Sequence, residues 1–224
     1  MCEKDFRNTG MEDFEKVLDD FFKSWEEDKN CRFLSWEHCY KFFKDNKDKI
    51  AKAKDNDEIL DLASLNLSFY LASWGMYRGS SNILWKDYKI HNELIKNLLT
   101  SCKNLFSDNV EWKNVNKAKQ IIEEHYANLK ITPTDTLTTK VLLGIFGCVP
   151  AYDSLFVNGL REYNKNHKNI PQKFNESSFN QLQELSKKIE QKSEYKNYPS
   201  MRLIDAYFWW AGGGKNAYKN RANK

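Results

Sequence analysis

The stretch TTKVLLGIFGCVPAYDSLF, from Thr138 to Phe156, constrains this chain more than any other. A helix-forming segment carrying a single lysine, Lys140, runs into Gly147 and breaks at Pro150. It restarts on Asp153, which fronts a fresh apolar run. Proline cannot continue a helix, glycine ends one at no steric cost, and aspartate is a favoured N-cap, so the stretch reads as helix, bend, helix. Leu137, Val141, Gly144 and Ile145 form the inward stripe of the first helix. Lys140 lies at its edge, where a long side chain either snorkels outward or reaches into a cleft.

Elsewhere the apolar residues recur at helical intervals and no segment alternates with period two, so the fold class is all-α: a single compact domain of about eight to ten helices. Thr9 and Glu12 have capping-box spacing ahead of Phe14, Leu18, Phe21 and Trp25, which predicts a helix to about Lys29. Ser35 reads as the cap of a second helix with Trp36, Cys39, Tyr40 and Phe43 inward, ending in the charged run KDNKDK. Asp55 and Glu58 form another capping box before EILDLASLNLSFYLASWGMY, which is apolar nearly all round and is the expected central helix. Further helices are expected over about 90–106, 114–129 and 179–192, from Ser154, and from Ser200 as cap to a stop at Gly212, Gly213 and Gly214. Residues 1–214 read as the domain and 215–224 as a disordered basic tail.

Net charge is +4, unevenly distributed: 12 basic and 17 acidic residues up to Asp61, then 23 and 14 beyond it. Acidic outer helices over 1–61 and a basic part over 62–214 suit a protein with one face toward phosphate, so DNA is the expected partner. An AT-rich coding bias toward Lys and Asn accounts for the same composition. The five cysteines are scattered and never spaced as CxxC, which reads as reduced thiols. The start MCEKDFRNTG is charged where a signal peptide is apolar, and no apolar run is long enough to span a bilayer. A cytoplasmic monomer without a membrane segment is expected. His38, His91, His125 and His167 have no partner at metal-ligand spacing, so no metal and no cofactor is assigned.

At the end of the expected central helix, Trp74, Tyr77 and Arg78 crowd between Gly75 and Gly79. Stacking surfaces beside a guanidinium fork line a ligand pocket or a tight packing corner, and Tyr152 is a fourth candidate for such a pocket.

The order of Thr139 and Lys140, a hydrophobic helix, a short Gly/Pro break and then PAYDS resembles the active-site region of the helix-hairpin-helix DNA glycosylases, particularly the branch that resembles 8-oxoguanine DNA glycosylase. The resemblance implies Asp153 as the catalytic carboxylate, Lys140 as the nucleophile of a bifunctional glycosylase/lyase, an all-helical domain, and excision of a damaged or modified base. The hairpin would be degenerate, because residues 132–138 contain no glycine. Hydroxyls and the helix N-terminus would then have to grip the phosphate. Two other readings stand beside it. Arg161 and His167 in REYNKNH fit the loose R-x(4–6)-H pattern of HEPN ribonucleases. A helical module that binds DNA or protein needs Asp153 only as a cap and Lys140 only as a surface charge.

Overall fold

A computed structural model describes residues 9–26, 28, 30–79, 81–167, 169–189 and 197–222. Among them every regular element is a helix, as the periodicity requires. The chain forms two units, Arg32–Val149 in one, and Met1–Cys31 with Pro150–Lys224 in the other. The charge boundary at Asp61 falls inside a helix of the first unit, so charge does not mark the division.

The middle unit contains α2 (Leu34–Ala51), α3 (Glu58–Ser73), α4 (His91–Ser101), α5 (Trp112–Asn128) and α6 (Asp135–Phe146). Helix α6 packs against α2, α3 and α5, and every residue from Leu137 to Phe146 is buried. It is the central helix, a place the sequence reading gives to α3. Helix α3 instead leaves Leu62, Leu65 and Phe69 exposed on one face. Mean apolarity does not distinguish a surrounded helix from one with an uncovered apolar stripe. Gly144 permits close approach of α3 to α6, since a Cβ there would lie 2.6 Å from the Tyr70 ring. Helix α6 starts on Thr134, whose hydroxyl accepts the Leu137 N–H. It ends at Gly147 with φ 68°, the expected left-handed stop.

The other caps depart from the sequence reading. Helix α2 starts after Phe33, with Ser35 already helical and buried, and it runs through KDNKDK because Ile50 beyond that run is fully buried. Asp57, not Asp55, precedes α3, and Asp55 instead pairs with Lys96 at 2.7 Å. The helix expected over 90–106 breaks at Cys102 into a short 3-10 turn.

The second unit contains α1 (Thr9–Glu26), α7 (Ser154–Asn164), α8 (Glu176–Ile189), α9 (Ser200–Trp209) and α10 (Lys215–Ala222). Phe14, Leu18 and Phe21 of α1 are buried as expected; the side chains of Thr9, Glu12 and Trp25, and all of Lys29, lie outside the described residues. So do residues 190–192, the last three of the helix expected from Phe179. Helix α9 packs against α1, α7 and α8 with all ten of its residues buried. Pro199, not Ser200, holds the N-cap position, and α9 does not stop at the glycines. Trp210–Gly214 form a π turn with Gly213 at φ 115°, leading into α10. The expected disordered tail is therefore helical from Lys215 to Ala222. The Lys215 ammonium pairs with Asp20 at 2.5 Å, and the Tyr218 hydroxyl donates to the Ser24 carbonyl, which ties α10 to α1. Residues 223–224 of that tail lie outside the described residues.

Candidate functional site

Lys140 sits on the innermost helix of its unit and is 4% exposed. Its Nζ donates to the carbonyl of Trp74 at 2.7 Å. Trp74 is the C-cap of α3, so the ammonium satisfies a carbonyl at the negative end of a helix dipole. The structure thus joins two features that the sequence offers separately, the candidate nucleophile and the aromatic corner.

The corner is a Schellman turn: Met76 N–H donates to Leu71 O at 2.8 Å and Gly75 N–H to Ala72 O at 3.0 Å, with Gly75 at φ 80°. The Arg78 side chain folds back over Gly75, where an added Cβ would lie 2.7 Å from its Nε. The Trp74 indole stacks on Phe33 at 5.8 Å, lies under the Arg32 guanidinium at 4.7 Å, and donates to Ser35 Oγ at 3.1 Å. Tyr77 reaches into the unit, with its hydroxyl 2.9 Å from His91 Nε2 and 3.2 Å from Ser68 Oγ. Of the four proposed pocket residues only Arg78 is exposed.

His91 completes a buried relay. It has no exposed surface, and burial, with His125 nearby, pushes its imidazole down to about 3, so the ring is neutral. Because the Tyr77 hydroxyl donates to Ser68, His91 Nε2 carries the proton toward Tyr77. Its Nδ1, 3.2 Å from the Tyr126 hydroxyl, accepts. Among the described residues no group of His, Cys, Asp or Glu is placed to hold a metal. Cys31, Cys39, Cys102 and Cys148 are buried thiols outside any disulfide.

Asp153 belongs to the other unit and is partly exposed at the N-cap of α7. Its Oδ1 accepts from Leu155 N and Phe156 N, both at 3.1 Å, the capping role its position predicts. Tyr152, the fourth pocket candidate, is 4% exposed and packs 4.9 Å from Phe156 and 5.5 Å from Phe174, so it is part of an aromatic core. Arg161 is exposed and donates to Asn158 at 2.8 Å, while the His167 ring stacks on Tyr163 at 4.1 Å.

The sequence reading misses one charged pair. Arg202 and Asp205 are 2% and 5% exposed on α9, joined Nη1 to Oδ2 at 2.5 Å. Asp205 Oδ1 accepts the Ala151 N–H at 2.8 Å, inside the PAYDS bend. Burial pushes the Asp205 carboxyl up to about 6, against the opposing pull of Arg202 and the Ala151 N–H, and the negative charge of Asp153 adds to the rise. The available signal was two opposite charges at i,i+3 in the otherwise apolar SMRLIDAYFWW.

The acidic first quarter and the basic remainder do not become two oppositely charged bodies. One unit carries 17 basic and 14 acidic residues, the other 18 and 17. No helix among the described residues is long and apolar enough to cross a membrane. The chain matches no family model, no curated protein and no solved structure.

Proposed function

We propose that the protein is a DNA glycosylase that excises a damaged or modified base. Cleavage of an N-glycosidic bond develops positive charge on the sugar. In this reading the Asp153 carboxylate stabilises that charge and orients the water that attacks C1′, the base leaving with the bonding electron pair. In a bifunctional variant of the same reaction, the deprotonated amine of Lys140 attacks C1′ in place of water. Loss of the base then leads to a Schiff base, from which the strand can be cut. The target base must leave the stack to be excised, and in the Lys140 form of the reaction Trp74, whose carbonyl holds the amine, is the ring that would meet it.

The observation that supports this reading is the burial of Lys140 with its amine held at the Trp74 carbonyl, at the start of the corner that carries Tyr77 and the exposed Arg78. A different observation favours a non-enzymatic module that binds DNA or protein. Lys140 caps α3 and Asp153 caps α7, so each charge already has a structural use. Base release separates the two readings. Purified protein is incubated with lesion-bearing and phage-type modified duplexes, then treated with heat or alkali to cut abasic sites. Strand cleavage at the modified position is the expected result; intact strands on every substrate at micromolar protein leave the binding module.

A further inference from the structure

The Arg202–Asp205 pair takes no part in the chemistry described above, yet it is the most deeply buried ion pair among the described residues. Desolvating two charges offsets most of their attraction, so an apolar pair of similar volume would hold α9 in its core at least as well. What an apolar side chain cannot do is accept a hydrogen bond. Asp205 Oδ1 accepts from Ala151 N at 2.8 Å, and the Ala151 carbonyl in turn accepts from Asp153 N at 2.8 Å. Both polar groups of Ala151 are thereby fixed in a buried bend whose N–H has no helical partner. Asp153 then spends Oδ1 on the first turn of α7, so it is held from the bend and from the helix alike. Arg202 is itself fixed, its guanidinium lying 5.5 Å over the Phe21 ring.

We propose that Asp205, clamped by Arg202, is the positioning residue of Asp153: a carboxylate on the buried helix α9 sets the bend that presents the acid to the sugar. The inference rests on the glycosylase reading for its consequence in catalysis, and on the bend alone for its geometry. A carboxylate displaced by an ångström loses on the order of 100-fold in rate.

The test uses the full chain and four variants: Asp205→Ala, Arg202→Gln, Asp205→Asn, and Arg202→Gln with Asp205→Asn together. Two quantities are read, base-release kinetics on a duplex that the wild type cleaves, and hydrogen exchange of the Ala151, Asp153, Leu155 and Phe156 amides. Asp205→Ala should lower kcat about 100-fold with KM within about threefold. It should speed exchange at those four amides and leave α8 unchanged. In the double variant the asparagine carbonyl takes the Ala151 N–H and its NH2 donates to the glutamine carbonyl. That neutral pair should restore protection of the bend and bring kcat to within about tenfold of wild type, above either single substitution. The proposal is overturned if Asp205→Ala keeps its kcat, if α8 opens together with the bend, or if the double variant is no better than Asp205→Ala. If the wild type releases no base from any duplex, the glycosylase reading falls and exchange alone decides. Selective opening of the four amides sustains the positioning role, and unchanged protection ends it.

Discussion

At the scale of single residues, two buried groups make separable predictions. The Lys140 amine is the only nucleophile proposed for lyase chemistry. If it attacks C1′, borohydride should trap a covalent protein–DNA adduct that Lys140→Met does not form. Base release without a trapped adduct would confine the reaction to water attack and leave Lys140 as the cap of α3. His91 predicts a pH effect on stability. Its folded value, about 3, lies below the ordinary 6.5, so the stability it contributes is complete above pH 6.5 and is lost as pH falls toward 3, where the unfolded chain takes up a proton that the folded one refuses. Asp205 works in the opposite sense, since a carboxyl raised to about 6 contributes stability at low pH that is lost as pH rises through 6. A comparison that isolates His91 is therefore needed. Urea unfolding at pH 7 and pH 5 should show the advantage of wild type over His91→Gln shrinking by about 2 kcal/mol. An advantage that stays constant would mean the imidazole is not held neutral.

At the scale of elements, the joint between α7 and α9 is made of glycine. A Cβ on Gly159 would collide with the Phe208 carbonyl of α9, and one on Gly212 in the π turn with the Leu155 carbonyl, so α7 meets α9 and the turn that follows it backbone to backbone. Gly159→Ala and Gly212→Ala should each cost about 1–3 kcal/mol, a fall in Tm of roughly 2–12 °C for a chain of this size. Gly79→Ala is the control, because a methyl group there would meet nothing within 4 Å, though its φ of 63° carries a smaller strain of its own. A Gly212→Ala protein with wild-type Tm would mean that the π turn is not packed on α7. These elements also show what the sequence could disclose. Helix existence, the Gly147 stop and the Asp153 cap depend on local chemistry, and all three are legible in the residues. Which helix is central is not, because α3 and α6 are similarly apolar and only the assembled unit decides which of them has an uncovered side. The π turn was missed for a related reason: three glycines normally end a helix, and here anchors on α1, the Asp20 carboxylate and the Ser24 carbonyl, carry the chain onward into α10.

At the scale of the whole molecule, the chain is two helical units, each built round one deeply buried helix that carries charge: α6, buried from Leu137 to Phe146, with Lys140, and α9 with Arg202 and Asp205. Charges placed in such helices are costly unless each has a partner, and each of these has one. Lys140 and Asp153 were nominated because the chain order carries the resemblance, and the Trp74 corner because rings and a guanidinium crowd between two glycines. The Arg202–Asp205 support was not, because it binds the bend from far along the chain. The acidic-to-basic drift along the sequence does not give the two units opposite net charges, so a DNA-binding claim has to stand on activity. The decisive comparison is base release from modified duplex by wild type and by Asp153→Asn, side by side. Asparagine keeps the N-cap hydrogen bonds but lacks the negative charge, so wild type should cleave at the modified position and a variant of unchanged Tm should not. Cleavage by neither protein would contradict the glycosylase assignment, and equal cleavage by both would contradict the role given to Asp153.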